Sequence, residues 1–157
     1  MKLYIKQKVF SFRDRFTVKD EYGEDKYYVE GEILSLGKKL RIYDMDGNEL
    51  AFVRERLLAF MPKFTIEING SEIAEIIKRF TFLRPKYYVD GLGWDVEGDF
   101  FSHNYDITDG NKTIVSIHKQ FMAWGDTFEI DVQKDNDEII ALAVVLAIDA
   151  VMDAANS

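Results

Sequence analysis

Lys39, Arg41, Arg54 and Arg56 flank an Asp46-Gly47 pair at spacings that gather positive charge. Asp-Gly supplies the positive φ angles of a tight hairpin turn. With the turn centred there, Leu40 faces Val53 and Ile42 faces Ala51 on the inward side. Side chains alternate between faces along a strand, so all four cations share the outer face, with Lys39 directly opposite Arg54. A like-charge cross-strand pair costs stability unless something neutralises it, and an anionic headgroup has the chemistry to do so. The neighbouring strand offers an alternative. If Ser35-Leu36 centres the preceding turn, Glu30 falls opposite Arg41 and Glu32 opposite Lys39, which gives an ordinary salt-bridge ladder on a solvated face.

Other chemistry-bearing residues are weaker. Phe101, His103, His118 and Gln120 stand where a second copy of that face would lie, and the histidines are expected as surface neighbours about 7 to 8 Å apart by sheet geometry. Two histidines do not make a zinc centre, which takes three or four protein ligands. The run from Asp44 to Glu49 has a calcium-loop flavour, but its glycine comes too early and no glutamate follows at the required position. Asp95, Glu97 and Asp99 alternate with Trp94, Val96 and Gly98, so their carboxylates share one face. Ser102 beside His103 is no catalytic pair, because strand neighbours point apart, and no glycine-rich phosphate loop occurs. No cofactor and no metal is implied.

The elements that position these residues follow from pattern. About a dozen stretches of alternating apolar and polar residues are separated by Asp46-Gly47, Asn69-Gly70, Asp90-Gly91 and Asp109-Gly110, which predicts an antiparallel meander. Residues 72–80 also fit a helical stripe and are assigned here to a strand. From Ile139 to Ile148 no side chain is polar, so a helix over about 136–155 is apolar on every face and must be buried all round. Asp135 and Glu138 stand at capping-box spacing at its start. Asp149 and Asp153 stop it short of the roughly 20 apolar residues a membrane span needs. At about 1.5 Å per residue it matches a barrel's height and can be the barrel's core. The expected fold is mainly β, α+β by strict class: a closed antiparallel barrel of about twelve strands around its own C-terminal helix.

The chain also repeats itself. Lys26-Tyr27-Tyr28-Val29 returns as Lys86-Tyr87-Tyr88-Val89, the Tyr43 to Asn48 turn returns near Tyr105 to Asn111, and Phe64 to Ile68 returns as Phe128 to Val132. This suggests two pseudo-repeat halves, about 1–70 and 71–134, within one domain over 1–157.

Composition bounds the function. The 157 residues contain no cysteine, which removes disulfides and thiolate sites and suits a reducing, cytoplasmic setting. Lys6, Lys8, Arg13 and Arg15 break up any apolar signal-peptide segment near the start. The net charge of −8 speaks against nucleic acid, whose phosphates need a basic surface. Residues 1–63 are nevertheless net positive, so an anion-binding face is expected in the first half.

Four segments together resemble the LURP-one-related family, of the Tubby-like superfamily that also holds the phospholipid scramblases: Phe10 to Phe16, Tyr28 to Gly31, Asp44-x-Asp46-Gly47-Asn48, and Ala143-x-x-Leu146-Ala147-Ile148-Asp149. The resemblance covers essentially the whole chain and implies a twelve-stranded Tubby-like barrel threaded by a C-terminal helix. Tubby domains proper bind phosphoinositides through basic side chains, though no such motif maps here residue by residue. The expected function is therefore a non-enzymatic binding or scaffold domain, with peripheral affinity for anionic phospholipid at a membrane surface through Lys39, Arg41, Arg54 and Arg56. The alternatives are an enzyme, a hydrolase or transferase with scattered residues at the barrel rim, and a protein-interaction module built on Tyr28, Tyr88 or Trp124.

Overall fold

Most strands bury at least every second side chain, so the sheet has to close on itself or find another layer to cover its apolar face. It does both. The computed structural model describes residues 1–6, 15–34, 37–56, 63–80, 85–99, 102–122, 125–134 and 136–155. Twelve strands run in chain order: β1 (Lys2–Lys6), β2 (Arg15–Lys19), β3 (Asp25–Leu34), β4 (Gly37–Asp44), β5 (Glu49–Arg56), β6 (Lys63–Ile68), β7 (Ser71–Phe80), β8 (Pro85–Asp90), β9 (Trp94–Asp99), β10 (Asn104–Asp109), β11 (Lys112–Met122) and β12 (Gly125–Val132). Each is paired antiparallel with its sequence neighbour, and β1 returns to β12 to close the barrel. The stretch with two possible periods is thus a strand, β7, as assigned from the sequence.

The helix α1 (Glu138–Ala155) lies inside. Its residues from Ala141 to Val151 are all buried, including Leu142, Leu146 and Ile148 at zero exposure, and they share one core with the inward side chains Leu40, Val53, Ile66 and Ile107 of the wall. Burying each such aliphatic side chain stabilises the fold by roughly 1.5–3 kcal/mol. Asp137 caps the helix, its Oδ1 accepting the amides of Ile139 at 2.9 Å and Ile140 at 3.2 Å. Asp135, the segment from Phe10 to Asp14, the Ser35-Leu36 turn, Phe101 and Trp124 lie outside the described residues.

Antiparallel pairing gives the barrel two distinct ends. The tight turns holding Gly23, Gly47, Gly70, Gly91 and Gly110 all sit at the end where α1 starts, because each joins an even strand to the next. At Asn69-Gly70 both residues are left-handed, with φ of 50° and 83°, the geometry a two-residue hairpin turn demands. The opposite end is where α1 finishes.

The internal matches fall on related elements. The second tyrosine of each Lys-Tyr-Tyr-Val segment points outward under an arginine of the preceding strand: Arg15 lies 3.7 Å from the Tyr28 ring centre and Arg79 lies 4.2 Å from that of Tyr88. These two segments are five strands apart, on β3 and β8, whereas Phe64 and Phe128 are six apart, on β6 and β12.

Candidate functional site

The register of the β3–β4–β5 wall follows from Asp46-Gly47. Lys39 pairs with Arg54, Leu40 with Val53 and Ile42 with Ala51 across β4–β5. Glu30 pairs with Arg41 and Glu32 with Lys39 across β3–β4. The carboxylates do not bridge straight across, however. Glu32 reaches diagonally to Arg41 at 3.6 Å, and Arg41 Nε is held by Glu49 at 3.0 Å. Glu30 instead bridges straight across β2–β3 to Arg15, at 3.9 Å. The right-handed twist between neighbouring strands brings diagonal positions closer on one side than on the other, so a ladder of long side chains slips by one outward position.

This slip divides the four cations. Arg41 carries two carboxylate partners, and its guanidinium lies 4.4 Å from the Phe52 ring centre. Arg56 donates to Glu75 at 2.8 Å, a carboxylate that also attracts Lys63 at 3.8 Å. Lys39 and Arg54 face each other with no carboxylate partner among the described residues; Arg54 leans on Phe52 at 5.9 Å. Below Arg54, outward-facing Thr65 is fully buried and its hydroxyl donates to the Arg54 carbonyl at 3.4 Å. Two adjacent cations on a firm floor can take one anion between them by charge-assisted hydrogen bonds.

Toward the helix-start end the wall hollows into a groove of about 370 Å³, lined by Arg41, Glu49, Phe52, Glu67 and Asn69 among others. Arg41 is already paired there, and Glu67 stands opposite Glu72, so the groove is acidic in balance while the surface around Lys39 and Arg54 is basic.

A family model described as LURP-one-related matches residues 1–149. The chain belongs to the LURP-one-related family. A Bacillus subtilis (strain 168) relative, the uncharacterized protein YxjI, is 32% identical over 152 residues, covering 97% of this chain and 94% of that one. A crystal structure of an Arabidopsis thaliana protein superimposes with a TM-score of 0.69 at 16% identity, covering 96% of this chain and 90% of that one. At that identity the likeness is one of fold, the Tubby-like barrel around a central helix.

Within this LURP-one-related barrel the histidines are not the surface neighbours expected from the sequence. His118 is exposed, its Nδ1 2.9 Å from Asn104 Oδ1. His103 precedes β10 in a left-handed conformation, φ 52°, which breaks the strand alternation and turns its ring inward. There its Nδ1 lies 3.3 Å from Asp149 Oδ1 of α1, and its ring packs on Phe128 with centres 4.5 Å apart. Burial and the nearby Lys119 hold the His103 pKa below its ordinary value, and burial together with the Asp149 charge pushes the Tyr105 phenol well up. Asp95, Glu97 and Asp99 share the exposed face as expected. Among the described residues no three metal-ligating side chains converge. The Asp44 loop is a polar turn closed on itself. Asp44 accepts the amides of Asp46 and Asn48 and the Asn48 side chain, which lowers its pKa.

Two polar links between helix and wall were not read from the sequence. Glu138 accepts from the Tyr27 hydroxyl at 2.6 Å and meets Lys26 at 2.7 Å; the Tyr27 pKa rises through burial first and the Glu138 hydrogen bond second. Asp149 is the other. Its signal was present: a carboxylate on a helix that must be enclosed needs a partner from the enclosing wall. Tyr28 and Tyr88 do not form an open aromatic surface, since each lies half-buried under its arginine.

Proposed function

We propose that this LURP-one-related barrel is a non-enzymatic binding module that associates peripherally with anionic phospholipid, taking a headgroup phosphate between Lys39 and Arg54. One observation carries the reading: these two side chains are cross-strand partners of like charge, and among the described residues neither has a carboxylate to neutralise it. An unsatisfied pair of this kind is held at a cost that a bound anion would remove. Arg41 and Arg56 flank the pair already neutralised and contribute less. The helix is spoken for by its own barrel, and among the described residues no helix is long and apolar enough to cross a membrane; the proposed contact is at the surface of the bilayer.

Sedimentation with phosphatidylserine-containing vesicles tests this. The protein co-sediments at low salt, less so as salt rises, and not with neutral phosphatidylcholine vesicles. Replacing Lys39 and Arg54 together by Gln removes the binding. Equal binding by the double variant, or no partition of the unaltered chain at low salt, would end the proposal.

A further inference from the structure

The barrel is charged along its axis. At the end where α1 finishes, exposed cations close several strands: Lys6 on β1, Arg79 on β7 and Lys86 on β8, with Lys119 near the foot of β11, beside Arg15 on β2 and Arg56 on β5, which are paired with Glu30 and Glu75. At the end where α1 starts, exposed carboxylates occupy the turns and strand tips: Glu21, Glu24, Asp46, Glu72, Asp90 and Asp109. The exceptions are largely neutralised. At the acidic end Lys2 is paired with Glu129 at 3.4 Å, Lys19 with Asp25 at 2.6 Å and Lys26 with Glu138 at 2.7 Å, leaving Lys112 and Lys134 without a carboxylate partner among the described residues. At the basic end Glu32 is held by Arg41, whereas Asp99, which accepts the Ser102 amide at 3.2 Å, and Glu97 are exposed carboxylates outnumbered by the cations there. Both halves of the sequence contribute to each rim, so the separation between the two ends is a property of the fold.

The same axis carries the helix. The positive end of the α1 dipole faces the acidic rim and its negative end faces the basic rim, and α1 has no basic residue in its own last turn. The rims supply the complementary charges that a surface helix would carry itself.

From this polarity we infer that the barrel docks end-on, with the helix-finish rim against an anionic phospholipid surface and the acidic rim pointing away. The inference rests on the lipid-binding reading above and extends it from one clamp to an orientation. A net charge of −8 opposes approach to an anionic bilayer, so association requires that the near charges outweigh the total. Screening makes this attainable in one orientation. The 18 residues of α1 span about 27 Å, whereas the Debye length at physiological salt is about 8 Å, so with the basic rim down the carboxylates of the far rim are screened from the surface. Side-on docking would bring both rims within reach together. Lys39 and Arg54 lie on the wall two residues above the basic ends of β4 and β5, so rim and clamp are continuous and the barrel leans toward that wall.

Vesicle partitioning of three variants separates the parts. Lys6→Gln/Lys86→Gln/Lys119→Gln neutralises the basic rim at exposed positions, Lys112→Gln/Lys134→Gln removes the two lysines of the acidic end that have no carboxylate partner among the described residues, and Lys39→Gln/Arg54→Gln removes the clamp. A lysine near an anionic bilayer contributes roughly fivefold in affinity, so the rim variant binds phosphatidylserine vesicles about 100-fold more weakly, while the acidic-end variant binds like the unaltered chain. Equal losses in those two variants, or none in the rim variant, overturn end-on docking. If the rim variant loses binding and the clamp variant does not, the clamp fails and the orientation stands; the reverse result keeps the clamp and rejects the orientation. No partition of the unaltered chain rejects both. Because the chain has no cysteine, single labels at Gln120→Cys and Asn111→Cys give an independent readout. Quenchers in the lipid headgroups quench the first and spare the second; the opposite pattern rejects the orientation. Far-UV circular dichroism and thermal melting like those of the unaltered chain establish that each variant is folded.

Discussion

Lys39 stands directly across the β4–β5 ladder from Arg54, while Glu32, its partner across β3–β4, is turned away to Arg41. The protein therefore keeps a like-charge cross-strand pair that a change of rotamer in Glu32 would relieve. Arg41 prevents that change: with Glu49 and the Phe52 ring it fixes the position that Glu32 then joins.

Replacing Lys39 by Gln is accordingly expected to stabilise the fold, by about 0.5 kcal/mol and within the range of cross-strand charge effects. The gain appears in urea unfolding at low salt and fades at high salt as the repulsion is screened. The same variant binds anionic vesicles less well. Stability and binding moving in opposite directions is the mark of a pair kept for a ligand. A loss of stability in Lys39→Gln would mean that the lysine is satisfied where it stands.

Leu146 and Ala147 test whether the helix is enclosed. Both have zero exposure although they point about 100° apart on the helix. A helix with one buried stripe would tolerate a larger residue at one of the two. Here Leu146→Ala is expected to cost about 2–5 kcal/mol through cavity formation, and Ala147→Leu about 1–3 kcal/mol through overpacking against the wall. Thermal or urea unfolding measures both. A neutral Ala147→Leu would contradict encirclement by the strands.

That helix explains why so much of the fold could be read from the sequence. Alternation in residues such as Leu40, Ile42, Ala51 and Val53, broken by turn dipeptides, settles register locally, and a run with no polar face leaves only the barrel interior to hold it. The resemblance to a known family pointed the same way. The candidate site was half legible. Strand parity placed Lys39 opposite Arg54, but the choice of Glu32 for Arg41 depends on sheet twist and on Glu49 beyond the turn, which pairwise register does not contain. His103 was misplaced for a related reason. Its left-handed φ interrupts the period-2 pattern, and nothing in a Ser-His-Asn sequence announces that the backbone reverses there. Asp149 appeared only as the end of an apolar run because its partner lies 46 positions earlier.

Tyr27 should matter more than its partial exposure suggests. Its hydroxyl donates to Glu138 at 2.6 Å at the first turn of the core helix. Glu138 Oε2 has no partner among the described residues, so Tyr27→Phe leaves the carboxylate held by Lys26 alone. The expected cost is about 1–3 kcal/mol, measured by urea unfolding, and Glu138→Gln, which removes the charge and keeps a hydrogen-bonding group, costs less. If Tyr27→Phe is neutral, Lys26 alone is enough to hold Glu138.

His103 makes the fold sensitive to acid, and the sign follows from its depressed pKa. The unfolded chain takes up a proton near the ordinary 6.5, while the folded chain does so only at lower pH because burial and Lys119 disfavour the imidazolium. Between those two values the unfolded state binds the proton and the folded state does not, so acidification favours unfolding. The groups facing the ring are Asp149 from α1, Lys119 from β11 and Phe128 from β12; the carboxylate works against the shift and the other two do not. Urea unfolding across a pH series should therefore show the natural chain losing stability relative to His103→Gln as pH falls through 6.5, with no change in their difference above it. A natural chain that gains on the variant over that window would mean that Asp149 prevails and that the imidazole is charged in the fold.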